Sequence, residues 1–256
     1  MSNAEPPRRR FLRHLAVASG GVLLGACDAA SRSPRVTKVL EIGELLSRNV
    51  QHAVTPRTSM AQEFTEADLS PQFRSNGTDY PDTAEYRALA TNGFVNWRLR
   101  VDGLVERPVQ LTLDQLRAMR SRTQITRHDC VEGWSAIGKW TGTPLSEVLA
   151  LVRPRADARY VMFYCADPMD VSGAKYYESI DMEDAMHPQT ILAYALNDAA
   201  LPIPNGAPLR LRLERQLGYK MAKYLMHIEL VASFARINGG KGGYWEDDGY
   251  EWYAGI

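Results

Sequence analysis

Short segments of alternating apolar and polar residues, separated by turn residues, run through the chain from about residue 97 to residue 234. Trp97, Leu99 and Val101 alternate with polar positions and are followed by Asp102-Gly103, which predicts a half-buried strand that ends in a turn. The same reasoning predicts further strands over residues 124–130, 159–165, 209–213 and 225–234.

Helix start signals lie between these strands. Thr112-Leu113-Asp114-Gln115 has the spacing of a capping box, and Thr143-Pro144 offers an N-cap residue followed by proline at the first helical position. With Asp181 as a third cap, the predicted helices cover residues 112–119, 143–152 and 181–186. The short, mixed elements and the lack of a glycine-rich phosphate loop favour an α+β domain with a mainly antiparallel or mixed sheet over a doubly wound nucleotide fold.

The composition is that of an ordinary globular protein. The chain has 256 residues, 45% of them apolar, with 30 basic and 30 acidic side chains. These values exclude a disordered chain, a coiled coil and collagen, and the balanced charge offers no support for nucleic-acid binding. Three cysteines are too few for a disulfide scaffold, and without an internal repeat or linker we expect one domain over residues 69–256.

The first 27 residues have the organisation of an export signal. Arg8-Arg9-Arg10-Phe11-Leu12-Arg13 precedes an apolar stretch, residues 15–26, that is shorter than the roughly 20 residues needed to span a bilayer. The arginines resemble a twin-arginine signal, and Leu24-Gly25-Ala26-Cys27 resembles a lipoprotein cleavage box. Asp28 resembles an inner-membrane retention signal. We therefore expect a periplasmic protein anchored by lipid at Cys27; the alternative is an arginine-rich start before a frayed helix.

Residues 28–68 are polar and contain Pro34 and Pro56, with only a short apolar patch between residues 39 and 46. This composition predicts a tether with one short helix.

The candidate chemistry centres on Cys130, which lies at the end of a predicted strand between charged residues. A cysteine in such a position can be a thiolate, and therefore a nucleophile or a ligand for a soft metal. A cysteine hydrolase would need a histidine base, for which His187 and His227 are available. Zinc is poorly supported because Cys130 has no CxxC or HxxxH partner.

Two segments around this cysteine carry a family resemblance. Cys130-Val131-Glu132-Gly133-Trp134, followed by Trp140-Thr141-Gly142-Thr143-Pro144-Leu145, resembles the signature of the sulfite-oxidase family of molybdenum enzymes. Further matching segments follow in the family's order: residues 97–103, 192–202, 205–210 and 218–223. The resemblance implies a mixed-sheet sulfite-oxidase-type molybdopterin-binding domain, here without the C-terminal dimerisation domain and therefore monomeric.

In that family the cysteine thiolate binds molybdenum beside the dithiolene of molybdopterin, so the resemblance implies this role for Cys130. It also implies that Asn205, Arg210 and Lys223 hold the pterin and its phosphate, for which amides and cations are suited. Taken alone, Arg210 is better interpreted as an outward-facing strand arginine paired with Glu214, and the neighbouring matches reverse that preference.

Three more residues gain roles from the resemblance. Tyr176 corresponds to the active-site tyrosine of sulfite oxidases, and Asn76 is the candidate cofactor contact in the segment Ser75-Asn76-Gly77. Sulfite oxidases have Arg-Asn-His there, and the missing arginine disfavours sulfite as the substrate; Arg74 is one position away. Cys165 matches a cofactor-contacting threonine of the family's periplasmic methionine-sulfoxide reductases. Its alternatives are a packed apolar cysteine or a disulfide with Cys130.

The implied activity is two-electron oxo transfer at a molybdenum-molybdopterin cofactor, either reduction of a small S-oxide or oxidation of sulfite. Electrons would pass to or from a separate carrier, a membrane haem protein or a soluble cytochrome. The aromatic, acidic tail over residues 239–253 is expected to wrap onto the domain or to dock that carrier. A non-catalytic lipoprotein of the same fold and a cysteine hydrolase using Cys130 and His187 are the alternatives.

Overall fold

Ten strands form two sheets in the part of the chain that the computed structural model describes, which is residues 33, 56 and 59–256. The strands are β1 (Leu99–Gly103), β2 (Val109–Leu111), β3 (Arg122–Cys130), β4 (Trp134–Pro144), β5 (Tyr160–Pro168), β6 (Lys175–Asp181), β7 (Ile191–Leu196), β8 (Ala199–Ala200), β9 (Arg210–Arg212) and β10 (Leu225–Val231).

The first sheet has the order β2-β1-β10-β5-β6, and the second has the order β3-β4-β7-β8 with β9 also paired to β7. The β1–β10 pair is parallel, while every other pair in the two sheets is antiparallel. The architecture is therefore the α+β class with mixed sheet that the sequence predicts.

Five α-helices connect or flank the strands in the described residues: α1 (Ala84–Thr91), α2 (Leu113–Ala118), α3 (Leu145–Val152), α4 (Met182–Met186) and α5 (Tyr244–Asp247). The predicted capping box is present at α2, where the Thr112 and Gln115 side chains accept each other's backbone N–H groups. Asp181 caps α4 by accepting the N–H of Asp184. Large apolar side chains of the first sheet and of α3 fill the main core.

One helix start differs from its prediction. The helix α3 begins at Leu145 with Pro144 at the N-cap position, so Thr143 is not the cap. Thr143 instead belongs to β4, where its hydroxyl donates a hydrogen bond to the Leu116 carbonyl. The local pattern of a hydroxyl before proline was overridden by strand pairing with β7.

The strand β4 was not predicted as a strand, although its motif was noted. Its inward positions include Gly138 and Gly142, which have no side chain to carry an apolar signal. A Cβ at Gly138 would meet the Phe73 ring at 2.8 Å, and one at Gly142 would meet the Leu192 carbonyl oxygen at 2.3 Å. Close approach of other parts of the chain therefore explains these glycines.

Residues 59–68, which the sequence assigned to the tether, lie against the domain. Phe64 donates its N–H to the Ile125 carbonyl, and Glu63 forms an isolated bridge with Thr126 of β3. A short 3-10 helix covers Glu66–Asp68. The folded unit therefore begins before residue 69.

The signal, Cys27 and the rest of the tether with its predicted helix lie outside the described residues. Among the described residues, no helix has the length and apolar character needed to cross a bilayer.

We expect Gly142→Ala to lower the free energy of unfolding by about 3 kcal/mol, because its methyl group would force β4 and β7 apart. The matched control is Gly173→Ala. Gly173 has open space around it but a φ of +82°, so only the conformational cost of about 1 kcal/mol applies. Urea unfolding of both variants measures the difference, and equal losses would contradict the packing explanation.

Candidate active site

A cavity of about 190 Å³ lies where Cys130, the end of β5 and the C-terminal tail meet. Its walls come from segments that are far apart in the sequence: Asn76, Gly77, Thr78, Cys130, Val131, Glu132, Asp167, Met169, Tyr176, Gly218, Tyr219, Met221, Lys223, Trp245 and Tyr250. Of the seven site residues predicted from the sequence, Asn76, Cys130, Tyr176 and Lys223 line this cavity.

Cys130 ends β3 and begins the turn to β4, in which Gly133 donates its N–H to the Cys130 carbonyl and has a φ of +83°. Its thiol is half-buried, and burial raises its pKa above the ordinary value. The free side chain is therefore a thiol and not the thiolate that the sequence pattern suggested. A bound soft metal would favour the deprotonated form, because the cation stabilises the thiolate.

Cys165 lies on β5 and is a buried thiol. Because Cys130 and Cys165 are both free, the two form no disulfide. Burial raises the pKa of Cys165 well above its usual value. Cys165 and Tyr176 both line a second cavity of about 510 Å³. Tyr176 lines both cavities, and its hydroxyl donates a hydrogen bond to the Tyr219 carbonyl, which fixes the side chain between them.

Two arginines are fully buried on β9, and within the described part of the chain only Arg212 has a carboxylate partner. Arg212 donates to both oxygens of Glu214, at 2.9 and 2.6 Å, and to Nδ1 of His128 at 2.9 Å. Arg210 instead donates to the carbonyl oxygens of Asn205 at 2.9 Å and Met221 at 3.3 Å. The outward-facing alternative for Arg210, paired with Glu214, is therefore wrong: Glu214 is the partner of Arg212.

Both guanidinium groups lie over the ring of Trp140, at 5.1 Å for Arg210 and 4.4 Å for Arg212. Burial, together with the positive charge of the neighbouring Arg212, lowers the pKa of Arg210 to about 9, so the guanidinium still carries its charge at neutral pH. A buried positive charge without a carboxylate partner is costly and favours the binding of an anion.

Lys223 holds two loops together beside the cavity. Its ammonium donates to the carbonyl oxygens of Asn76 and Thr78, both at 2.6 Å, and of Pro204 at 2.8 Å. Burial lowers the pKa of Lys223 to about 7, and the nearby Arg210 contributes to this shift. The residue predicted to meet the phosphate therefore also positions Asn76 and the segment before Asn205.

Several buried polar atoms around the cavity have no hydrogen-bond partner among the described residues, which is unusual in a folded protein. They are Asn76 Oδ1 and Asp167 Oδ1 in the cavity wall, and His128 Nε2, Asn205 Nδ2 and Arg210 Nε in residues that do not line it. Amide, imidazole and guanidinium groups suit a pterin, which is ringed with donors and acceptors, and the charge of Arg210 suits its phosphate. The residues present therefore fit molybdopterin; the role of each one remains a prediction.

The sequence missed several wall residues. Behind the wall residue Gly218, His128 is fully buried, and its Nε2 packs so closely that a Cβ at Gly218 would lie 2.4 Å away. Asp167 gave no signal at all, because it belongs to no motif. The aromatic content of the tail was the available signal for Trp245 and Tyr250.

A buried ion-pair network attaches the tail. Lys220 donates to Glu178 of β6 and, at 2.6 Å, to Glu246 of α5. Burial raises the pKa of Glu178 well above its usual value, which favours its protonated form beside the second carboxyl group. The tail therefore wraps onto the domain and brings Trp245 to the cavity.

His187 does not support the hydrolase alternative. Its Nε2 contacts the Ser59 carbonyl at 3.1 Å and its Nδ1 accepts the Gln189 N–H at 3.2 Å. Neither His187 nor His227 lines the cavity that contains Cys130.

The half-buried Cys130 thiol, the Asn76 amide and Lys223 line one cavity, and the buried Arg210 lies near Lys223. This arrangement suits a protein that binds an anionic, hydrogen-bonding cofactor beside a thiol ligand. A family model described as "oxidoreductase molybdopterin binding domain" matches residues 88–236, more than half of the chain. The chain belongs to this family. It is a molybdopterin-dependent oxidoreductase of the sulfite-oxidase type, which confirms the predicted family, fold and cofactor.

Relatives match over most of the chain. A putative protein-methionine-sulfoxide reductase subunit YedZ1 of Azospira oryzae is 38% identical over 98% of this chain and 88% of its own length. The protein-methionine-sulfoxide reductase catalytic subunit MsrP of Xanthomonas campestris is 39% identical, and that of Xanthomonas axonopodis is 34% identical. Each of these alignments covers 88% of this chain and 70% of the relative.

The sulfane dehydrogenase SoxCD from Paracoccus pantotrophus is a similar solved structure, with a TM-score of 0.48 and 22% identity. The match covers 54% of this chain and 39% of that chain.

We expect Arg210→Met to affect the stability of the cofactor-free protein much less than Arg212→Met does. Arg210→Met removes a charge without a carboxylate partner, so the free energy of unfolding should change by less than about 1 kcal/mol. Arg212→Met leaves the buried Glu214 carboxylate without its guanidinium partner, so the free energy of unfolding should fall by about 3–5 kcal/mol. Urea unfolding of the cofactor-free proteins measures both values.

In the loaded protein, Arg210→Met should weaken cofactor retention about 10- to 100-fold, the worth of one charge-assisted hydrogen bond. Molybdenum and pterin content after dialysis reports this loss. Equal destabilisation by the two substitutions, with full retention in Arg210→Met, would contradict the proposed role of the unpaired charge.

Proposed function

We propose that this protein reduces S-oxides, with methionine sulfoxide as the substrate class, by two-electron oxo transfer. The observation that carries the proposal is the half-buried Cys130 in a cavity that Lys223 also lines, with the buried Arg210 close enough to interact with both residues. The relatives named as protein-methionine-sulfoxide reductases support the direction of the reaction. The serine and glycine on either side of Asn76, where sulfite oxidases have arginine and histidine, argue against sulfite.

When bound, molybdenum-molybdopterin supplies a centre that exchanges two electrons and one oxygen atom with the substrate. Cys130 would hold the metal through its sulfur. Arg210 would neutralise the phosphate, and the free amide donors of Asn205 would bond the pterin. Lys223 fixes the loop that carries Asn76, so that this side chain faces the cavity.

The cavity wall beyond the thiol is suited to a thioether-like substrate. Met169 and Met221 provide flexible apolar surface, and Trp245 and Tyr250 provide aromatic surface at its rim. Tyr250 is 42% exposed, so the rim faces solvent. These side chains would exclude water from the reacting sulfur and hold its methyl group, while a polar S–O group points inward.

The expected result with protein produced under molybdate sufficiency is about one molybdenum per chain, lost in Cys130→Ser. With a reduced dye as electron donor, the loaded enzyme should reduce methionine sulfoxide, and Cys130→Ser should retain less than about 1% of that activity. Cys165→Ser is the matched control and should keep its molybdenum. A loaded enzyme that oxidises sulfite but does not reduce S-oxides would overturn the direction proposed here.

We further propose that the protein is exported by the twin-arginine pathway, is lipid-anchored at Cys27 to the periplasmic face of the inner membrane, and acts as a monomer. The arginine run and the cleavage box in the sequence support this location. The electron carrier would be a membrane haem protein, because anchoring two proteins to one surface raises their effective concentration.

We expect Arg9→Lys combined with Arg10→Lys to hold the full-length chain in the cytoplasm, and Cys27→Ala to release it from the membrane into the periplasm. Cell fractionation and labelling with a radioactive fatty acid measure both effects. Cytoplasmic activity of the unaltered chain, or unlabelled membrane-bound protein, would contradict this localisation.

A further inference from the structure

One buried carboxyl group in the cavity wall has no role in the proposed mechanism. Asp167 lies near the end of β5 and lines the same cavity as Cys130 and Tyr176. Only 4% of its surface is exposed, and its Oδ1 has no hydrogen-bond partner among the described residues. An oxygen atom placed this way is available to a molecule that enters the cavity.

Burial raises the pKa of Asp167 to about 6, while Lys223 and a hydrogen bond with the Thr78 side chain act in the opposite direction. The titratable groups that interact with Asp167 come from several elements: Tyr86 of α1, Cys165 of β5, Tyr176 of β6, and Lys223 and Tyr224 before β10. An anionic cofactor in the same cavity would raise the pKa of Asp167 further.

The neighbouring groups are poor proton donors. The hydroxyls of Tyr86, Tyr176 and Tyr224 each donate to a backbone carbonyl, and burial raises the pKa of each. Lys223 directs its ammonium at three backbone carbonyls and the Ser75 hydroxyl. Cys165 is buried with a raised pKa. Asp167 therefore combines an unpartnered oxygen, a place in the cavity wall and a proton held near neutral pH.

We propose that the Asp167 carboxyl group is the proton donor to the oxygen atom removed from the S-oxide. The inference rests on the proposed function. Reduction of an S-oxide to a thioether breaks the S–O bond, transfers two electrons to the substrate and uses two protons to release the oxygen as water. The electrons come from the reduced carrier or dye through the cofactor. Asp167 gives one of the two protons and is reprotonated from solvent, which supplies the second.

Asp167→Asn tests the role because it keeps the shape and the hydrogen bond with Thr78 but cannot act as an acid. We expect full molybdenum content and a 10- to 100-fold fall in kcat/KM for methionine sulfoxide. The unaltered enzyme should lose kcat/KM as the pH rises through about 6 or above, since the protonated acid is the active form. This fall in kcat/KM with rising pH should be absent in Asp167→Asn and should partly return in Asp167→Glu.

The matched control is Asp184→Asn. Burial also raises the pKa of Asp184 to about 6, but this residue lies on α4, outside the cavity. Its substitution should leave the pH profile unchanged. Infrared titration of the cofactor-free and loaded proteins provides a readout independent of activity. The infrared band of protonated carboxyl groups that titrate near pH 6 should diminish in each aspartate variant. Only the group whose band is lost in Asp167→Asn should show a higher pKa when the cofactor binds.

An Asp167→Asn enzyme with molybdenum and an unchanged pH profile would overturn the proposal. Loss of molybdenum in Asp167→Asn would also overturn it, because the residue would then hold the cofactor. Failure of the proposed function is a different result: the unaltered, molybdenum-loaded enzyme would not reduce S-oxides at all, and both proposals would fall together.

Discussion

The site depends on two arginines that are buried on one short strand with a single carboxylate between them. Arg212 uses that carboxylate, Glu214, and also fixes His128, whose Nδ1 accepts its hydrogen bond. Arg210 is left with two carbonyl oxygens and the face of Trp140. The unbalanced charge lowers the stability of the cofactor-free protein and becomes favourable only when an anion arrives. If Arg210 binds the cofactor phosphate as proposed, cofactor binding and folding are coupled through this residue.

The other parts of the site are arranged around this charge. Lys223 joins the segment containing Asn76 to the segment before Asn205 through backbone carbonyls, and Gly206 packs between the Cβ atoms of Arg210 and Lys223. Three separate segments thus meet beside β9. The cations that they bring there suit the phosphate of the cofactor.

The C-terminal tail contributes the substrate side of the cavity. The helix α5 is held by the contact of Glu246 with Lys220, and Trp245 next to it lines the cavity. Because this anchor is buried, the tail is a fixed wall of the site, and Tyr250 remains exposed at its rim. The cofactor side thus comes from strands and loops, while the solvent-facing side comes from a segment near the chain terminus.

The sequence by itself determined the fold class, five of the ten strands, two helix caps and the cysteine at the end of β3, because these depend on local periodicity and on a contiguous motif. It did not determine β4, whose inward glycines reflect the approach of Phe73 and of Leu192 in β7. It could not distinguish Arg210 from Arg212, since both occupy equivalent positions in an alternating pattern and only packing decides which one reaches Glu214. The sequence also could not show that the site includes Asp167, His128 and Trp245, because burial and proximity are properties of the tertiary structure.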